Sequence, residues 1–143
     1  MTPATRNSLI ALAVIATACI LAHIVARQSA LRYGQDLAVA SNAFNIETIA
    51  KTEDFKQLLD GPALSKHVRT IGMMWVFGKS YLQKIDDLKT ALLYLSENAA
   101  LPKERRFKDP GKNQILGTGA VKDDDEFIKD RVFDLVKSFI ETV

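Results

Sequence analysis

The sequence predicts an all-α protein with one N-terminal transmembrane helix followed by a small helical domain. Three observations predict this class: an uncharged apolar block near the N-terminus, a helical repeat of apolar residues in the middle of the chain, and an amphipathic stretch at its end. A chain of 143 residues has room for one folded unit behind the block. We therefore divide it into an anchor (1–26), a stalk with a short helix (27–60) and a helical domain (61–143).

The anchor is predicted from a run without charge, LIALAVIATACILAHIVA, which occupies residues 9–26. At ~1.5 Å per residue a helix of this length spans ~27 Å, close to the ~30 Å hydrocarbon core of a bilayer. A cationic side chain at each end can reach the lipid headgroups. His23 lies near one end of the run, where we prefer a structural role at the interface, with a proton-handling or ligand role as the open alternative. The residues predicted to contact the membrane are Arg6, Leu9, Ile15, Leu21, Ile24 and Arg27.

Three alternatives to an uncleaved anchor stay open. Ala16-Thr17-Ala18 has the spacing of a signal-peptide cleavage site, but the apolar run continues beyond the 7–15 residues that are usual for such peptides. A lipoprotein would be cut before Cys19, yet apolar residues follow it where a polar tether is usual. A buried core helix would have to be covered on every side, and the rest of the chain is small for that. The anchor is the interpretation we prefer.

The orientation of the anchor is weakly determined, because the cations on its two sides nearly balance. The amino terminus and Arg6 precede it, whereas Arg27 and Arg32 follow it and are partly offset by Asp36. A short tail before a signal-anchor helix usually stays in the cytoplasm. We therefore expect the C-terminal domain on the extracytoplasmic side.

The stalk is predicted as a continuation of the membrane helix to about Ser41, because residues 27–44 are rich in Ala, Leu and Gln and contain no proline. Such a stalk would be a rigid lever. Thr52 resembles an N-cap that opens a short helix. That helix should stop at Asp60, since Gly61 can end one helix and Pro62 can start the next.

A long amphipathic helix is predicted over 62–99, because apolar residues recur there at spacings of three and four. Its middle is broadened by Met73, Met74 and Phe77 into an apolar girdle wider than a two-helix contact needs. Cover by other helices of the same chain is the interpretation we prefer, and contact with a partner or with a membrane surface is the alternative. Gly72 and Gly78 are predicted to be positions of close approach for a neighbouring helix. The stretch GMMWVFGKS is not a phosphate-binding loop, because five bulky residues separate its glycines and it lies within a helical repeat.

An irregular loop is predicted over 102–122, which contains Pro110-Gly111 and lacks helical periodicity. Its first part, 102–112, is locally basic around Phe107. A solvated loop is the simplest interpretation, with anionic headgroups, nucleic acid or an acidic partner as open alternatives. A C-terminal amphipathic helix follows over 123–142, and its acidic start suits the positive pole of a helix better than a calcium site.

Composition argues against several classes of function. A formal net charge of +2 is too small to predict a nucleic-acid-binding face. The chain has one cysteine and two histidines, and the cysteine and one histidine lie inside the predicted anchor. The remaining histidine cannot form a zinc site by itself. Ser65, Lys66 and His67 are adjacent, so on a helix they point to different sides and cannot act as nucleophile and base. We predict no metal, no cofactor and no enzymatic activity.

The predicted function is that of a non-catalytic accessory or structural subunit in a larger membrane-associated complex. Its partners would be the lipid bilayer and a protein partner or a second copy of the chain. The alternative is a membrane-tethered sensor or ligand-binding bundle with a small cavity between the long helix and the C-terminal helix. Large aromatic and methionine side chains supply much of the energy of interfaces. The residues predicted to bind the partner are Met73, Met74, Trp75, Phe77, Tyr81, Phe133 and Phe139.

Overall fold

The structure is a computed structural model that describes residues 2–143, except for the side chain of Ala63. Its α-helices, in chain order, are α1 (Pro3–Ser41), α2 (Ile46–Ala50), α3 (Thr52–Asp60), α4 (Pro62–Met73), α5 (Trp75–Ala99), α6 (Pro110–Asn113) and α7 (Asp125–Thr142). Two 3₁₀ turns occupy Lys103–Arg105 and Gln114–Leu116. No strand is formed by the residues described, which confirms the predicted all-α class.

Helix α1 is a single unbroken helix of 39 residues. It ends at Ser41, as predicted, but its second half is not a free lever. The residues of that half that face the bundle recur at spacings of three and four, which is the pattern of one helix face. They are Ala26, Ser29, Ala30, Tyr33, Gly34 and Leu37, all buried. The predicted stalk is therefore a core helix of the folded domain.

The prediction of one continuous helix over 62–99 is wrong, because the chain leaves helical geometry at Met74 (φ −97°, ψ 40°). α4 and α5 instead form an antiparallel hairpin, and Lys89 of α5 pairs with Asp60 at the end of α3, just before α4 begins. The close crossing depends on Gly78, where a Cβ atom would lie 2.2 Å from the carbonyl oxygen of Ile71. The predicted close approach of a helix at Gly78 is confirmed, and the helix that approaches is α4 of the same hairpin. The close approach predicted at Gly72 is wrong, because no atom lies within 4 Å of a Cβ atom built there.

The other long helices pack around the second half of α1. α4 runs antiparallel to α1 and α5 runs parallel to it, since the hairpin turn lies beside the first half of α1 while His67 contacts Ser29. α7 is antiparallel, with Arg27 donating to the carbonyl oxygen of Val143 at 2.8 Å and Lys84 donating to that of Thr142 at 2.7 Å. These two cations lie at the negative pole of α7.

Helices α2 and α3 close the end of the bundle that is remote from the anchor. The bounds of α3 agree with the predicted short helix, although Thr52 is its first helical residue and not its N-cap. Ile49, Phe55 and Leu59 are almost completely buried against the bundle. Ser96 of α5 donates to the carbonyl oxygen of Ile49 at 2.5 Å, which ties α2 to the hairpin.

The segment between α5 and α7, predicted as an irregular loop, contains α6 and the two 3₁₀ turns, and it is not simply a solvated loop. The side chain of Asn98 accepts a hydrogen bond from Phe107 N at 2.8 Å and donates to Tyr94 O at 2.9 Å. Arg106 is buried and donates to the carbonyl oxygens of Leu101 and Ala99. Buried polar groups with such complete sets of partners hold a segment in one conformation.

Helix α7 begins two residues later than predicted. Asp124 is its N-cap, and its Oδ1 accepts a hydrogen bond from Phe127 N at 2.6 Å. Asp125, in the first turn, pairs with Arg106 at 2.5 Å. The hydrogen bond from Arg106 is the main cause that lowers the pKa of Asp125 below its ordinary value. The acidic run thus starts the helix and fixes the preceding segment to it.

Candidate membrane-facing site

The first half of α1 carries an apolar surface that the rest of the chain leaves uncovered. By length and composition it is the one helix among the described residues that is suited to cross a membrane. Large apolar side chains surround it on all sides, with exposed fractions from 38% to 63%. They are Leu9, Ile10, Leu12, Val14, Ile15, Ile20, Leu21, Ile24 and Val25. A soluble protein rarely exposes so large an apolar patch without a binding partner for it.

The turn of the α4–α5 hairpin is a second exposed apolar surface. We call residues 73–77 the hairpin tip. Met73, Trp75 and Val76 are 72%, 75% and 60% exposed, whereas Met74 and Phe77 are half-buried. Side chains of this size at such exposure are unusual for a turn that faces water.

The two apolar surfaces adjoin each other. A groove of about 280 Å³ lies between the hairpin tip and the α1 residues Ile15, Ala18, Cys19 and Ala22. Cys19 and Ala22 are the residues of the anchor segment before Ala26 that the tip covers in part. The tip is therefore positioned beside the middle of the apolar run, and not at its end.

His23 lies where the hairpin meets α1. Its ring is 6.0 Å from that of Phe77 and 5.9 Å from that of Tyr81, and its Nε2 is 3.5 Å from the Tyr81 hydroxyl. The imidazole thus packs against aromatic rings with one polar partner. The geometry gives His23 a role in joining two helices.

The predicted partner-binding residues do not form one surface. Met73, Met74, Trp75 and Phe77 are together at the tip. Tyr81 and Phe139 are buried inside the chain, so their side chains pack the core and are not available to a partner. This correction follows from the antiparallel packing of α7 on α1, in which Phe139 contacts Tyr33.

Phe133 is separate from the tip and is 52% exposed on α7. It lies at a groove of about 300 Å³ between α1 and α7, which Ala38, Val136 and Ile140 also line. This α1–α7 groove is apolar and lies in the half of the molecule remote from the anchor. It is a second surface on which a partner or ligand could bind.

A serine, a histidine and an aspartate come together between α1 and α4, which the sequence did not predict. Ser29 Oγ is 3.2 Å from His67 Nδ1, and His67 Nε2 is 3.5 Å from Asp36 Oδ2. Catalysis by such a set needs an accessible nucleophile with donors for the oxyanion beside it. Ser29 is buried in the middle of α1, where the backbone N–H groups bond within the helix. The three groups tie α4 to α1.

Other polar features have structural roles in the part of the chain that is described. No group of three or more metal-binding side chains occurs there. The hydroxyl of Tyr33 is buried without a hydrogen-bond partner, and this burial, with the nearby charge of Asp60, raises its pKa. The large depressions beside α3 and the start of α4 are open and have charged rims.

Comparison with known proteins gives no family for the chain. No protein-family model matches it. The comparisons with curated proteins and with solved structures found no match either. The function therefore has to be argued from the two apolar surfaces and the charges around them.

Proposed function

We propose that this chain is a single-pass membrane protein that acts as a non-catalytic accessory or structural subunit of a larger membrane-associated complex. The observation that carries the proposal is the continuity of α1. Its first half exposes apolar side chains, and its second half is a core helix of the bundle. Because no hinge separates the two halves, the bundle is held at a fixed height and tilt on the membrane.

A rigid connection of this kind supports a role in assembly. A partner that binds the bundle is positioned relative to the bilayer without an ordering cost for a flexible linker. The α1–α7 groove around Phe133 is outside the apolar half of α1 and is the surface we assign to a protein partner. Its exposed aromatic ring beside aliphatic residues is typical of residues that contribute strongly to binding.

The test is purification of the tagged chain from native membranes in a mild detergent. We expect a partner at a fixed ratio, and we expect Phe133→Asp to abolish the association while the helical content stays unchanged. Val39→Asp is the matched control, since Val39 is also an exposed apolar residue of the bundle but is not among the residues that line the groove. A chain that is isolated alone would contradict the subunit role, and a partner that both variants retain equally would contradict its assignment to the α1–α7 groove.

The proposed orientation places the N-terminus in the cytoplasm and the bundle on the extracytoplasmic side. Cys19 is the single cysteine, so Cys19→Ser provides a background for one new label. In that background, Lys122→Cys on an exposed part of the chain should react with a membrane-impermeant maleimide in intact cells. Reaction only after the cells are permeabilised would reverse the orientation.

The alternative function is a membrane-tethered sensor or ligand-binding bundle. The cavity for the ligand was predicted between the long helix and the C-terminal helix. The groove beside the C-terminal helix lies instead against α1, and its apolar lining supports this alternative. A stable monomer in detergent whose thermal unfolding midpoint rises with small apolar ligands would support the sensor. Phe133→Asp should then remove the rise.

A further inference from the structure

The hairpin tip lies beside a part of α1 that a membrane helix would place in hydrocarbon. The groove under the tip is lined by α1 residues from Ile15 to Ala22, a stretch of about 10 Å at the helical rise. The tip is fixed there by the contacts of Phe77 and Tyr81 with His23. If α1 crosses a bilayer, the tip cannot remain in water.

The charges around the tip have the arrangement expected of an element at a lipid surface. Residues 70–78 carry no charge, and they are bracketed by Arg69 on α4 and Lys79 on α5, both exposed. The longer stretch 61–85 contains four cations, Lys66, Arg69, Lys79 and Lys84, and no acidic residue. Cations on this side suit anionic headgroups, and their long apolar stems can lie along the acyl chains.

We propose that the hairpin tip inserts into the bilayer next to α1, with Trp75, Met73 and Val76 among the acyl chains and with Arg69 and Lys79 at anionic lipid headgroups. The proposal rests on the proposed membrane anchoring and adds a second element to it. Interfacial elements of this kind reach ~5–10 Å below the headgroups. Measured along α1 from Arg27, the residues beside the tip lie ~8–18 Å away, so the tip reaches this depth or more.

Lipid is the occupant that the observations favour over a second protein. The tip is a convex turn, and its apolar surface is continuous with that of α1, so whatever surrounds α1 also surrounds the tip. A lipid environment needs no further complementary shape. A protein partner would have to contact both elements within the membrane.

The experiment uses Trp75, which is the single tryptophan of the chain. The full-length protein is reconstituted into vesicles of phosphatidylcholine with phosphatidylglycerol, with and without lipids brominated on their acyl chains. We expect Trp75 emission at short wavelength, strong quenching by the brominated lipids and weak quenching by iodide in the buffer. In Arg69→Gln/Lys79→Gln, we expect Trp75 to stay quenched by the brominated lipids, because α1 holds the tip in place, and the dependence of that quenching on phosphatidylglycerol to be lost.

Other outcomes overturn the proposal in distinguishable ways. Emission at long wavelength with strong iodide quenching places the tip in water. Emission at short wavelength without quenching by brominated lipids places it against a second copy of the chain. Flotation with the vesicles and resistance to alkaline extraction, measured on the same sample, report on α1 alone. If the protein stays with the vesicles but Trp75 is not quenched by the brominated lipids, insertion of the tip is refuted and anchoring by α1 is retained. If the protein is lost from the vesicles, both are refuted.

Discussion

Gly78→Ala should open the α4–α5 hairpin, whereas Gly72→Ala should leave it closed. A Cβ atom at residue 78 would lie 2.2 Å from the carbonyl oxygen of Ile71 and 2.8 Å from its Cγ2. The oxygen belongs to the backbone and cannot rotate away, so one helix has to move by about 1 Å to restore an ordinary carbon–oxygen contact. At Gly72 an added Cβ meets nothing within 4 Å.

The expected magnitudes follow from these two environments. Alanine in place of glycine inside a helix stabilises by about 0.5–1 kcal/mol, which is the whole expected effect at Gly72. At Gly78 the same gain is opposed by an overpacking cost of about 1–3 kcal/mol. The free energies of unfolding of the two variants should therefore differ by that cost. In a domain of this size the thermal midpoints should be separated by at least about 4 °C.

Far-UV circular dichroism of the full chain in detergent measures both midpoints. Gly72→Ala should unfold at or above the temperature of the parent protein, and Gly78→Ala at or below it and clearly below Gly72→Ala. Equal stabilisation by the two alanines would refute the reasoning, because that result is expected of one continuous helix over 62–99. It would restore the arrangement predicted from the sequence.

Three other substitutions test the core and the segment before α7. Tyr33→Phe removes a buried hydroxyl without a partner and should raise the free energy of unfolding in urea by up to about 1 kcal/mol. Asn98→Leu leaves the buried N–H of Phe107 unpaired and should lower it by about 1–3 kcal/mol. The hydrogen bond from Arg106 lowers the pKa of Asp125 from its ordinary value of 3.8, so their pairing stabilises above that value and the stabilisation is lost as the pH falls through the lower folded-state pKa. Asp125→Asn should remove this part of the acid dependence of the thermal midpoint.

The elements that could be predicted from the sequence are those that local patterns define. The apolar first half of α1 follows from a run without charge, α3 from the Asp60-Gly61-Pro62 stop, and α7 from apolar residues at helical spacing behind acidic residues. In each case the residues that determine the element are close together in the chain. Membership in the all-α class follows from the same local signals.

The hairpin could not be predicted in this way, because Met74 is neither a glycine nor a proline and gives no local signal for a turn. Apolar residues recur with the same spacing on both sides of it, as each helix packs one face on the core. Gly78 is the residue that allows the hairpin to close, but this role depends on its contact with Ile71 in the folded structure and cannot be inferred from the sequence alone. The contact of Ser29 with His67 joins positions far apart in the chain and was missed for the same reason.

The size of the side chains on one face of α1 explains how a single helix packs against both the hairpin tip and α7. Ala18, Ala22, Ala26, Ala30 and Gly34 follow one another at intervals of four residues, so they form one ridge along the helix. The first two lie under the hairpin tip, and at the last a Cβ atom would be 2.8 Å from Ile140 Cγ1 on α7. Small residues let neighbouring helices approach closely in water and in lipid alike. Packing on this ridge therefore needs no change along α1, while the other faces of the helix change from apolar in its first half to polar in its second.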